Sequence, residues 1–269
     1  MTKMESKIVS RVAIGLTVAF LTQSAAAGGF VQIEGAIFAA ESNEITNAWW
    51  ALPEGIRFTY FSEDGDECSV IFEDVLPTAA QSRTHVGAVA VREVLDEAWI
   101  DADCDMLPEE LHETTLDWYA QDTEGNVWYF GEDTVAFGVL PGECEHPDGF
   151  GGCTDGSWEA GQDVAGVGSV AEEGILMLAD PTGKSGVFYF QEFYEGEAKD
   201  MGKILNYKSV NTFLYGRVNG CVRIKEYSPL APGAVEHKTY CENLGLVLVE
   251  ENSGGKTVFE NLVSVTPTP

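Results

Sequence analysis

The sequence predicts an all-β, mainly antiparallel fold, and three observations predict it. Short aromatic and β-branched runs recur along most of the chain, bounded by polar turns rich in Gly, Asp and Asn. Helical spacing of apolar residues is confined to one stretch, residues 197–205, where Ala198, Met201, Ile204 and Leu205 allow one short helix. Six cysteines fall into neighbouring pairs, as in a disulfide-stapled exported domain.

The first hairpin is expected between residues 57–61 and 68–72, joined by the polar segment 62–67. A strand-rich stretch follows over residues 85–96, then an acidic loop around 101–110. A second hairpin pairs residues 116–120 with 127–131 through Asp122, Thr123, Glu124, Gly125 and Asn126; Asp can cap such a turn and Gly can take positive φ. Alternation puts Trp128 and Phe130 on one face of the returning strand and Val127 and Tyr129 on the other. Both faces are apolar, so this strand should be covered on both sides. Residues 141–169 read as a long irregular insertion. Further strands are expected at 175–178, 187–192, 210–215, 222–227, 235–240, 246–249 and 258–265, and the tail 266–269 is expected to fray. No linker-like composition divides residues 28–265, which read as a single β domain.

Lys3, Lys7 and Arg11 precede an apolar run over residues 12–21, and Ser24, Ala25, Ala26 and Ala27 follow it. This is the layout of a secretory signal peptide over residues 1–27. The run is about half the length a bilayer span needs, so no membrane span is expected. The expected location is therefore periplasmic or extracellular. There, Cys68, Cys104, Cys144, Cys153, Cys221 and Cys241 should form three disulfides, and neighbour pairing favours 68 with 104, 144 with 153 and 221 with 241. Each closed loop would contribute about 3–4 kcal/mol in the chain-entropy picture. A disulfide between 221 and 241 across a hairpin would set Arg223 opposite Thr239, Lys225 opposite His237 and Tyr227 opposite Val235.

The chain's net charge is −29, and without residues 1–27 it holds 12 basic against 43 acidic residues, a net of −31. Such a surface repels nucleic acid. The charge is unevenly spread: residues 62–173 carry 28 acids against Arg83 and Arg92, whereas residues 184–238 carry eight basic and six acidic residues. A strongly acidic face is expected.

Two blocks, residues 117–122 (Asp-Trp-Tyr-Ala-Gln-Asp) and 125–133 (Gly-Asn-Val-Trp-Tyr-Phe-Gly-Glu-Asp), resemble the signature of a family of exported bacterial β-sheet proteins. Later blocks at 156–161, 191–194, 196–201, 236–238 and 245–248 are similar to the same family, so the resemblance covers residues 117–250. It implies a curved sheet, half-barrel or meander. It carries over no activity and no catalytic residues, and the segment between Cys144 and Cys153 stands as an insertion relative to it.

No assembled catalytic motif is present. His112-Glu113 begins like a zinc-protease helix, but Leu116 stands where the second histidine should be; Ser185 is followed by Gly186 and Val187, which breaks the nucleophile elbow. The leading reading is a non-catalytic envelope protein that binds a small molecule, glycan, lipid or protein. Trp118, Trp128, Tyr129 and Phe130 are the candidate ligand contacts, with core packing as the competing use of the same rings. The alternative is divalent-cation binding. Asp101, Asp103 and Asp105 alternate as in a calcium loop, although Met106 and His112 replace the required Gly and Glu; Asp122 is the fourth candidate. No cofactor other than calcium is expected, and a hydrolase with an unrecognised site is the third alternative.

Overall fold

A computed structural model describes residues 29–64, 67–140, 142–253 and 256–268; the leader expected over residues 1–27 lies outside them. Among the described residues every regular element is a strand, and no helix is long and apolar enough to cross a membrane. The strands are β1 (Ile56–Asp64), β2 (Glu67–Val75), β3 (His85–Val86), β4 (Val89–Ala90), β5 (Arg92–Asp101), β6 (Glu110–Gln121), β7 (Val127–Ala136), β8 (Trp158–Glu159), β9 (Glu172–Met177), β10 (Phe188–Phe190), β11 (Glu192–Phe193), β12 (Met201–Thr212), β13 (Gly216–Tyr227), β14 (Val235–Cys241), β15 (Gly245–Ser253) and β16 (Lys256–Pro267).

All but the β3–β4 hairpin join one antiparallel sheet, in the order β10-β12-β13-β14-β15-β16-β1-β2-β5-β6-β7-β9-β11, with β8 added to β7. The two ends of this order, β10 and β11, are separated in sequence by Gln191 alone, so one short stretch of chain bonds β12 on one side and β9 on the other. The curved sheet thereby becomes a nearly closed barrel. Its seam requires glycine at 174, because a Cβ there would lie 2.1 Å from the Gln191 carbonyl oxygen. Gly131, at φ +133°, has the same role under β8, where a Cβ would lie 2.2 Å from the Trp158 carbonyl oxygen.

The disulfides are Cys68–Cys104, Cys144–Cys153 and Cys221–Cys241, with no free cysteine, as an oxidising compartment allows. The register of β13 and β14 is the one the third disulfide implies, with Arg223 opposite Thr239, Lys225 opposite His237 and Tyr227 opposite Val235.

Three local expectations are corrected. Residues 197–205 form no helix: the chain turns between Tyr194 and Ala198 and then enters β12. The helix-like spacing runs across this boundary, with Ala198 in the turn and Met201 and Ile204 in β12, and Leu205 falls at the register slip between Ile204 and Asn206. Second, the strand expected over 210–215 ends at Thr212, whose hydroxyl donates to the Gly216 carbonyl and accepts from the Tyr215 amide to close the hairpin. Third, the tail does not fray at Thr266: Arg57 pairs with Thr266 and Ile56 with Pro267, and the Thr268 amide donates to the Gly55 carbonyl.

The outer surface of β5–β7 is covered by two segments. Phe38 packs edge-on to Trp128 and Phe130 at 6.0 and 5.3 Å, and Arg83 lies 4.3 Å over the Trp118 ring. One end of the barrel is closed by the turn that carries Trp49 and Trp50. Asn47 holds this turn: its Oδ1 accepts from the Trp49 and Trp50 amides, and its Nδ2 donates to the carbonyls of Gly125 and Leu178. Gln121 accepts from the Thr46 and Asn47 amides at 2.8 Å each.

Candidate functional site

Inside the barrel lies a cavity of about 670 Å³, within the range of small-molecule sites. Strand alternation builds its wall. On β6, Glu113, Thr115, Asp117 and Tyr119 face inward, while Thr114, Leu116, Trp118 and Ala120 take the outer face. The same period brings in Glu73, Asp96, Glu236, Lys238, Tyr240, Glu251 and Glu260 from five other strands. Counting Glu132, Glu192, Asp200 and Glu226, eleven carboxylates and one ammonium line the cavity, and Trp50 forms its floor. The indole of Trp50 packs edge-on to Tyr240 at 5.5 Å and Tyr119 at 6.1 Å. Its Nε1 is buried with no hydrogen-bond partner.

Carboxylates held this close and this deep cannot all ionise at neutral pH. Burial pushes Glu73 up to about 7, against the pull of Lys238 and the Tyr60 hydroxyl. Burial likewise takes Asp117 to about 7, although the Tyr129 hydroxyl donates to it, and takes Glu260 to about 8 with help from the charges of Glu236 and Glu73. Asp96 is raised well above the carboxylate range by burial, then by Glu73 and Asp117. Burial works against the charge of Lys238, but Glu226, Glu236 and Tyr240 outweigh it and keep the ammonium protonated. That ammonium lies 2.8 Å from Glu226 and 3.7 Å from Glu236. Burial thus shifts Glu73, Asp96, Asp117 and Glu260 toward their protonated forms, and one amine already sits among the luminal carboxylates.

Of the four aromatic candidates, Tyr129 alone lines the cavity, stacked on Tyr119 at 4.9 Å with its hydroxyl donating to Asp117 and its oxygen 3.0 Å from Glu132. Trp118, Trp128 and Phe130 are buried beneath the outer cover. The Trp118 indole donates to Glu93 at 2.9 Å and the Trp128 indole to Asp122 at 2.8 Å.

The four aspartates also separate. Asp122 accepts from the Glu124 and Asn126 amides, the Asn126 side chain and Trp128, so it organises the β6–β7 turn. Asp101 accepts from the amides of Asp105 and Met106, and Asp105 from that of Leu107. Carboxylate oxygens of Asp101, Asp103 and Glu109 lie within 4.8 Å of one another; Glu109 is a member the sequence did not single out. Asp103 is raised above its ordinary value, first by the charge of Asp105. The other such group among the described residues, Cys144, Cys153 and Asp155, has its sulfurs committed to a disulfide.

The luminal carboxylates escaped the sequence reading. The signal that could have found them is alternation of acids with apolar residues, as in Glu113-x-Thr115-x-Asp117 beside Leu116 and Trp118.

No family profile matches the chain, and no curated protein does. Two solved structures are similar to it. One is a protein assigned as exported, with a YmcC-like fold, from Bacteroides fragilis NCTC 9343, and the other a protein assigned as a lipoprotein from Parabacteroides distasonis ATCC 8503. Each matches over 81% of this chain and 98% of its own length with a TM-score of 0.36, at 12% and 11% identity respectively.

Proposed function

We propose that this chain is an exported, non-catalytic binding protein of the cell envelope whose barrel lumen takes up an extended organic cation of the polyamine class. The observation that carries the reading is the wall of eleven carboxylates around a 670 Å³ cavity with an aromatic floor. Among the described residues, the luminal acids form no tight group of three about one point, the arrangement a bare metal ion needs. They are spread along the wall, which suits several ammonium groups on one chain. Lys238 between Glu226 and Glu236 is an internal example of the contact. Trp50 adds an aromatic ring to the lining, against which a cation can rest. The signal peptide expected over residues 1–27, the three disulfides and the resemblance over residues 117–250 support the assignment to the envelope or the extracellular space.

The test is intrinsic fluorescence of the exported chain titrated with spermine, with a neutral oligosaccharide as control. Saturable change with spermine is expected, lost on Trp50→Phe and weakened at least about tenfold by Glu226→Gln with Glu236→Gln. Saturation by the oligosaccharide alone would overturn the reading.

A second, separate reading places a divalent cation at Asp101, Asp103 and Glu109, where the repulsion that raises Asp103 would be relieved. Millimolar calcium should then raise the thermal midpoint, and Asp103→Asn should abolish the rise. A midpoint indifferent to calcium and to chelator dismisses this site.

A further inference from the structure

Residues 201–225 contain Lys203, Lys208, Arg217, Arg223 and Lys225 and no acidic residue, in a chain whose net charge is −29. They form the β12–β13 hairpin, joined by Phe213, Leu214 and Tyr215. Those three side chains are 67%, 38% and 41% exposed, and Tyr207 on the same hairpin is 52% exposed. The root of the hairpin is anchored, since Tyr207 meets Trp49 of the barrel cap at 6.1 Å and Cys221 is bonded to Cys241. Beyond it, Val210 and Val218 still pack against the core and Thr212 is buried, whereas Phe213, Leu214, Tyr215, Gly216 and Arg217 are exposed, so the turn itself projects. Among the described residues, Lys203, Lys208 and Arg217 make no ion pair, while Arg223 pairs with Glu250 at 2.9 Å.

An apolar, aromatic tip flanked by the unpaired cation Arg217, on a hairpin whose residues 201–225 include no acid, is complementary to a surface with an anionic layer over an apolar interior. We infer that the β12–β13 hairpin docks the protein on a bilayer carrying anionic phospholipid, with Phe213, Leu214 and Tyr215 entering the headgroup boundary and Arg217 contacting phosphates. The acidity of the whole molecule does not forbid this. The Debye length is about 8 Å at physiological salt, whereas the twelve residues of β12 span about 40 Å, so the carboxylates around the lumen are screened from a bilayer touched by the tip. Tyrosine and phenylalanine suit the boundary because each presents an apolar body, and tyrosine also keeps a polar end in the headgroups. The site is separate from the lumen and does not depend on what the lumen binds.

The test is co-sedimentation of the exported chain with vesicles of phosphatidylglycerol and phosphatidylcholine in equal parts, against vesicles of phosphatidylcholine alone. The anionic vesicles should bind the chain at least about tenfold better, and the preference should fall as salt is raised. Phe213→Ser with Tyr215→Ser should reduce binding about tenfold or more while the thermal midpoint stays unchanged. Arg217→Glu should weaken the preference for anionic vesicles. Failure of the wild-type chain to bind anionic vesicles, or equal binding by both variants, overturns the inference. So does a dimer in solution that the Phe213 and Tyr215 variant converts to monomer, since the tip would then be a contact between copies.

Discussion

Raising the pH from about 5 to about 9 is expected to lower the thermal midpoint of the exported chain by about 10 °C. Glu73, Asp117 and Glu260 have folded-state values of about 7, 7 and 8, far above those of unfolded carboxyls. A carboxyl whose value is raised by folding binds its proton more tightly in the folded state. Its contribution is therefore complete below the unfolded value, near 4, and is lost as pH climbs through 7 to 8. Asp96 acts in the same direction, and Lys238, raised rather than lowered, keeps its contribution across the whole window. Each unit of displacement is about 1.4 kcal/mol. The three groups repel one another and face a water-accessible lumen, so only a fraction of the sum survives, about 4 kcal/mol. At about 2–4 °C per kcal/mol for a chain of this size, that gives the stated fall. Differential scanning calorimetry across the range checks it, and the triple variant Glu73→Gln, Asp117→Asn, Glu260→Gln should flatten the profile. A midpoint that rises from pH 6 to 9 would mean that the luminal acids do not hold protons.

The Asp122→Ala variant is expected to lose about 3–5 kcal/mol of stability, read as a fall in denaturant midpoint with unchanged slope. Asp122 is buried and accepts four bonds, two from backbone amides at 3.0 and 2.8 Å and two from the side chains of Asn126 and Trp128 at 2.8 Å. Removing the carboxylate strands the buried donors of Asn126 and Trp128. The damage would not stay local, because Asn126 also accepts from the Ala179 amide at 2.9 Å and the adjoining Gly125 carbonyl holds Asn47 beneath Trp50. Asp122→Asn should cost less, since one oxygen is retained, although its amide would face the Trp128 N–H. A wild-type midpoint for Asp122→Ala would show that the turn does not depend on this residue.

The strands, the three disulfides and the β13–β14 register were legible because each rests on local chemistry: β-branched runs, cysteine spacing and hairpin turns. What lies inside the barrel was not. Trp118, Trp128 and Phe130 suggest a ligand groove by their rings alone, but they lie on the outer face under Arg83 and Phe38 while Tyr129 faces the lumen, and apolar character does not distinguish the two faces. The outer cover comes from segments distant in sequence, such as residues 29–52, and only closure of the sheet reveals which face of each strand is concave. Likewise, the acidity of the chain reads as a solvated surface until alternation directs Glu73, Asp96, Asp117 and Glu260 inward. The missed strand at the start of β12 has a different cause: the apolar spacing spans a turn at Ala198 and the strand that follows it, and Leu205 sits at a register slip.

Calorimetric titration of the exported chain with spermine at pH 7.5, run in buffers of different ionisation enthalpy, tests most directly whether the lumen is a protonated carboxylate wall built for an organic cation. Heat that varies with the buffer, reporting protons released from Glu73, Asp117 and Glu260 as ammonium groups replace them, is the predicted result. Spermine binding with no proton release, or identical binding by the triple carboxamide variant, would contradict it.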